Sequence, residues 1–237
     1  MAYGFKINNS NSETVIDDTY ENMVVASSGT LSWQNYYANG GTYGNLYNYN
    51  ITSLLTATGT SQVMFKVNVG QYITAHKMFP DSSSLFTTSG TWTNNAFYIN
   101  TSASSLEYIK VDKAPNVSTV GSGYGIEVYK SSGVRTWGTG QKLMPKYNSL
   151  ALLTSSTTRY SSVATTGGGD VWMSFIPNIS GPFCPNPAAG FPTYLICMGF
   201  HRTSSTNIEM DYWSVGIGNA SAPNYPRAPV SGIIFED

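Results

Sequence analysis

Apolar and polar positions alternate along this chain in many short runs, and the clearest run occurs twice. Tyr3, Phe5 and Ile7 in Tyr3-Gly4-Phe5-Lys6-Ile7-Asn8-Asn9-Ser10, and Tyr124, Ile126 and Val128 in Tyr124-Gly125-Ile126-Glu127-Val128-Tyr129-Lys130-Ser131, each fall on one face of a half-buried strand. After the first run, Asn8 to Ser12 reads as a turn and Thr14-Val15-Ile16 as a returning strand, which predicts an opening β-hairpin. Further strand-like strings recur in one order. Tyr20–Ser28 matches Tyr147–Ser155, Gln62–Val67 matches Asp170–Phe175, Leu106–Val111 matches Met210–Val215, and Ala114-Pro115-Asn116 matches Ala222-Pro223-Asn224.

The shared order predicts a duplication, with one β-sandwich-like half over 1–121 and a related half over 122–237. The string Val230-Ser231-Gly232-Ile233-Ile234-Phe235-Glu236 also resembles the joint near Gly121 and the strand after it, so a single large β domain over 1–237 is the alternative. The copies differ in one place: Ser28 to Val63 is a step of 35 (63 − 28), whereas Ser155 to Val171 is a step of 16 (171 − 155). The surplus lies in Trp33–Tyr49, a stretch without charge.

Composition fits the all-β reading and narrows the role. Hydrophobic residues make up 41% of 237, enough for a core, while only 11% are charged, so hydroxyls and amides carry solubility. A formal net charge of −1 without a Lys/Arg cluster excludes the electrostatic footprint of a nucleic-acid binder. The opening Met1-Ala2-Tyr3-Gly4-Phe5-Lys6 has neither the basic nor the apolar region of a secretory signal, and the apolar run Tyr194–Phe200 is too short to span a bilayer. A chain made in the cytoplasm, without membrane insertion, is the expectation.

Within Trp33–Tyr49, the residues Trp33, Tyr36, Tyr37, Tyr43, Tyr47 and Tyr49 are the candidates for contact with a partner protein or a glycan, because tyrosine combines wide apolar area with a polar tip. The plainer reading is that they pave an uncharged β surface or a subunit contact. The two cysteines, Cys184 and Cys197, flank a proline-rich stretch, and without an export signal they read as free buried thiols rather than a disulfide. His76 and His201 lack metal-ligand spacing, and Asp17-Asp18 with Glu21 lacks the calcium-loop pattern. Glu209 and Asp211 share a strand face, as a glycosidase pair could, yet nothing marks the pair and alternation on a wet face explains them fully. Gly167-Gly168-Gly169 has no following Lys and no nucleophile elbow occurs, so no catalytic, metal or cofactor site is expected.

The opening Met1–Ser10 with Val15-Ile16-Asp17 resembles the start of a group of small tailed-bacteriophage virion proteins, in which a Tyr-Gly-apolar-x-apolar strand leads through an Asn/Ser/Gly turn into an apolar-apolar-Asp strand. Gly123–Tyr129 with Ser132-Gly133 is similar, although Thr136-Trp137 stands where the apolar-Asp pair is expected. The resemblance implies a non-enzymatic structural protein of the tail, tail tip or fibre, located in the virion, a homo-oligomer packed with other virion proteins and able to contact a host-surface glycan. A free carbohydrate-binding or adhesin module is the alternative, and a polysaccharide-degrading enzyme a lesser one.

Overall fold

The computed structural model describes residues 6–8, 14–17, 21–37, 45–55, 62–77, 97–118, 125–152, 161–165, 169–175, 194–216 and 231–237. Tyr3, Phe5, Tyr43, Gly121, Tyr124 and Cys184 lie outside them. The fold is all-β and antiparallel, as the alternation predicts. The first half contributes β1 (Lys6–Asn8), β2 (Thr14–Asp17), β3 (Met23–Leu31), β4 (Asn35–Tyr37), β5 (Leu46–Asn50), β6 (Gln62–Lys66), β7 (Tyr72–Lys77), β8 (Phe97–Thr101) and β9 (Leu106–Lys113). Among the described residues, one short helix, α1 (Thr52–Leu55), and a 3-10 turn, Ala114–Asn116, belong to it as well. The second half contributes β10 (Glu127–Tyr129), β11 (Arg135–Gly138), β12 (Lys146–Leu152), β13 (Ser161–Ala164), β14 (Val171–Phe175), β15 (Tyr194–Ser204), β16 (Asn207–Gly216) and β17 (Ser231–Glu236).

Two sheets form the sandwich. One runs β12-β17-β14-β6-β9-β3 and the other β13-β16-β15-β7-β8-β5-β4. Each order is a mirrored series: three first-half strands meet three second-half strands at β6–β14, and in the seven-stranded sheet four first-half strands meet three second-half strands at β7–β15, with β4 as the extra edge strand. Strands from either side of Gly121 therefore share both sheets, and they share one core. Tyr49, Val63, Phe65, Ile73 and Ile99 from the first half pack with Val171, Met173, Phe200, Ile208 and Ile234 from the second. Each such side chain stabilises the fold by about 1.5–3 kcal/mol on burial.

The six-stranded sheet is apolar on its other face too, where Met64, Ile109, Val111, Trp172 and Phe235 cluster with Met23, Val25, Met144 and Ile233. Burial on both faces explains why β6 and β14 read as continuous apolar runs, Val63-Met64-Phe65 and Val171-Trp172-Met173, rather than as alternation. That face is wrapped by the sheet itself. The start of β3 meets the segment just ahead of β12 where Val24 bridges Leu143, with Val25 N–H donating to Lys142 O at 2.7 Å and Met144 N–H to Met23 O at 3.0 Å.

The repeat is exact enough to carry its irregularities. β1 pairs with β2 through Lys6–Asp17, Ile7–Ile16 and Asn8–Thr14, with a register shift after Ile7. β10 pairs with β11 through Glu127–Gly138, Val128–Trp137 and Tyr129–Arg135, with the shift after Val128, so every position is displaced by 121 residues (127 − 6 and 138 − 17). The edge strands repeat a bulge as well: Ala26 is the extra residue of β3 against β9, and Asn148 of β12 against β17. These bulges set Val111 against Phe235 in the two copies. β17, not β16, is thus the counterpart of β9, so the matching of Leu106–Val111 to Met210–Val215 is corrected.

Where the halves join, one strand must come very close to another. A Cβ added at Gly199 of β15 would meet the ring of Tyr72 and, at 2.7 Å, the carbonyl of Ile73 on β7. Behind this contact Arg202, buried to 6% exposure, donates to Val67 O at 2.9 Å, while Arg202 N–H donates to Gln71 O at 3.0 Å and Gly70 N–H to Arg202 O at 2.7 Å. Gly199→Ala is expected to destabilise the fold by more than about 2 kcal/mol, because the clash is with backbone and a wedged ring rather than a mobile tip. Urea unfolding of the variant checks this, and a loss below about 0.5 kcal/mol would contradict the close approach.

Candidate functional site

The tyrosine stretch folds into β4 and β5 at one edge of the seven-stranded sheet, with Tyr36 opposite Tyr47 and Tyr37 opposite Leu46. Tyr47 and Tyr49 are two residues apart and so share a face, and that face is the inner one. Tyr49 is completely buried in the core and donates its hydroxyl to Ala103 O at 2.8 Å. It is not a surface contact residue, which corrects its place among the candidates. Burial pushes its hydroxyl up to about 12, with the nearby Tyr47 adding a smaller effect in the same direction.

Tyr47 is half-buried and packs on the same core. Its ring lies 5.7 Å from that of Trp33, tilted by 54°, and Trp33 is 44% exposed. Of the six candidates, then, Trp33 and Tyr47 form one exposed-to-buried aromatic step. Tyr36 and Tyr37 stand on the terminal strand of the sheet, and Tyr43 lies outside the described residues.

The other candidates remain apart. Glu209 accepts from Asn207 Nδ2 at 3.1 Å and stands opposite His201 on β15, while Asp211 stands opposite Gly199. Cys197 lies opposite Trp213 within β15 and β16. Among the described residues no group of three or more His, Cys, Asp or Glu side chains is placed to hold a metal ion. Glu21, which with Asp17-Asp18 lacks a calcium-loop pattern, bridges Lys113 at 2.9 Å and Lys130 at 3.0 Å. Those two ammonium groups hold its carboxyl below the usual range.

Lys130 belongs to the β10–β11 hairpin, whose importance the alternation alone does not reveal. Arg135 donates to the carbonyls of Ala114 and Val117, and Gln141 Nε2 donates to the same two carbonyls at 2.9 and 2.7 Å. Asn22 adds its Nδ2 and backbone N–H to Thr136 O. These bonds seat the hairpin on the 3-10 turn after β9. Ile126, 65% exposed, and Tyr129 and Val134 stay open to solvent. Tyr129 donates its hydroxyl to Glu127 Oε2 at 2.6 Å, and Arg135 Nη1 donates to Glu127 Oε1 at 3.2 Å. The only sequence signal for this anchorage is that Arg135 breaks an otherwise uncharged returning strand.

Beside the hairpin lies an open groove of about 430 Å³ lined by Trp137, Leu143, Met144, Pro145, Glu236 and Asp237, with Lys142 on its rim. Its walls are mostly apolar. Tyr147, 56% exposed, stands on the strand that leads out of it and meets Phe235 edge to face at 6.2 Å.

No protein-family model, curated protein or solved structure matches this chain.

A raised folded-state value for Tyr49 means that its stability contribution is whole below the ordinary tyrosine value near 10 and is lost as the pH climbs through about 12. Tyr49→Phe is expected to cost about 1–2 kcal/mol at neutral pH, since the Ala103 carbonyl loses its donor. The same change should flatten the stability slope between pH 10 and 12. Paired urea titrations across that window check both, and an unchanged slope would argue against burial of this hydroxyl.

Proposed function

We propose that this chain is a non-enzymatic structural protein of a bacteriophage virion, of the tail, tail tip or fibre, that packs against other copies and other virion proteins. The observation that carries the reading is the second hairpin: polar anchors hold β10–β11 to the body while Ile126, Tyr129 and Val134 face outward. An anchored element that leaves apolar side chains exposed suits contact with a neighbour. The same hairpin, used first at Lys6–Asp17 in identical register, supports the resemblance on which the virion assignment rests. Terminal strands β4 and β13 without charge, Asn35–Tyr37 and Ser161–Ala164, fit a protein whose edges meet partners in an assembly.

The second reading, a free carbohydrate-binding module, is favoured by the Trp33–Tyr47 step, because an exposed indole beside uncharged amides suits a sugar ring. The two readings separate in solution. For an assembly protein, light scattering on the full chain should give an oligomer, and Ile126→Asp with Val134→Asp should lower its mass without shifting the thermal midpoint by more than about 2 °C. For a sugar binder the chain should stay monomeric and bind a glycan array in a manner lost in Trp33→Ala. Genes for tail or baseplate proteins beside this one would agree with the first reading, and a polysaccharide operon would overturn it.

A further inference from the structure

An open sheet ends on edges whose backbone groups invite another strand, and the edges of this protein are unequally defended. β12 carries a bulge at Asn148 and a lysine at Lys146, while β4 and β13 are only three and four residues long. β3 is nine residues long. Beyond the bulge at Ala26, Ser27 to Leu31 pair one to one with Lys110 to Leu106, and this stretch has no charge, no proline and no further shift. Ala26, Ser27, Ser28 and Thr30 are exposed, so neither face of the strand is covered there.

Along its first part this edge already accepts an extended segment. Val25 N–H donates to Lys142 O at 2.7 Å and Met23 O accepts from Met144 N–H at 3.0 Å, so the backbone groups of Met23 and Val25 point away from β9. Their partners Lys113 and Val111 likewise turn away from β3. β9 runs on without a shift against β6, so the alternate residues Asp112, Lys110, Tyr108 and Leu106 are the ones that turn toward β3. Ser27, Gly29 and Leu31 therefore bond inward, and Ser28 and Thr30 aim their N–H and C=O groups outward. Among the described residues no backbone bond joins Ser27–Leu31 to any strand but β9.

We propose that the open part of β3 pairs antiparallel with the same strand of a second copy, about a twofold axis at Gly29. In that register Ser28 of each copy faces Thr30 of the other, and each facing pair exchanges both of its outward bonds. Ser27 meets Leu31. No like charges come level, since Glu107 stands in line with Ile109 of the second copy and Lys110 with its Leu106. A second copy is the occupant this edge suits, because an uncharged strand meets its own likeness without repulsion and Gly29 places no side chain on the axis. The inference deepens the virion reading by naming one surface through which copies pack, and it rests on that reading for the expectation that they do.

A short strand pair is a small interface, so sedimentation of the full chain is expected to show a monomer–dimer step with a Kd of about 1–100 μM. Thr30→Pro removes an outward N–H and no bond to β9, and should weaken that step at least roughly tenfold with an unchanged thermal midpoint. Charge reads the register: Ser28→Lys with Thr30→Lys should abolish the dimer, whereas Ser28→Lys with Thr30→Glu, which sets opposite charges across the axis, should retain it. Where Thr30→Pro fails to fold, the two double variants decide. A dimer indifferent to Thr30→Pro, or one that treats the double variants alike, overturns the inference and leaves the virion reading standing, since the copies then meet elsewhere. A chain that stays monomeric up to about 500 μM overturns the inference together with the self-packing in that reading, and leaves the edge to a strand of another protein.

Discussion

The structure depends on two antiparallel contacts between strands more than a hundred residues apart in the chain, β6 with β14 and β7 with β15. Each contact joins two copies of the same element, so each is nearly its own mirror, and the rest of both sheets follows outward from it. The turn between β6 and β7 lies where the two contacts meet. Arg202 secures it from the opposite half, with its guanidinium on Val67 O and its backbone on Gln71 and Gly70. A guanidinium held in so buried a place has its pKa lowered by desolvation, against which the charges of Glu236 and Asp170 act. The arginine is kept because it supplies donors to carbonyls that a turn inside a sandwich would otherwise leave unmet.

From that centre the edges acquire their geometry. Bulges at Ala26 and Asn148 add twist to β3 and β12, and the start of β3 touches the segment ahead of β12 at Val24 and Leu143. The curl gives the six-stranded sheet a second enclosed apolar face around Trp172 and Phe235. It also brings the hairpins to one side of the molecule, where β2 and β11 lie in contact. The two-sheet body thereby carries both hairpins side by side.

Much of this was legible in the residues, and what was not has a physical reason. Alternation located the hairpins and β3, and unbroken apolar runs located β6 and β14, because half-buried strands leave an imprint of period two and doubly buried ones a continuous apolar stretch. Register left no such imprint. Gln62 corresponds to Trp172 rather than to Asp170, and a slip of two residues keeps every side chain on its own face, so hydrophobic pattern cannot detect it. The counterpart of β9 was ambiguous for a related reason: Met210–Val215 and Ser231–Glu236 are both plausible strands, and only pairing distinguishes them. Tyrosines are silent about direction. Tyr49 satisfies its hydroxyl on Ala103 O and so can be core, whereas Trp33, in the same uncharged stretch, faces water. The seat at Ala114–Asn116 depends on Arg135 and Gln141, whose donors reach back across about twenty residues of sequence that no local pattern spans.

The mirrored strand order also bears on how the chain is made. While the first half is complete and the second is still being synthesised, β6 and β7 are bare edges whose natural partners, β14 and β15, do not yet exist. Those edges are complementary to copies of themselves. Two nascent chains on neighbouring ribosomes therefore present each other with an approximate version of the missing half, a ready route to entanglement during translation. The second of these edges stays open until the chain has grown past β15, which ends at Ser204.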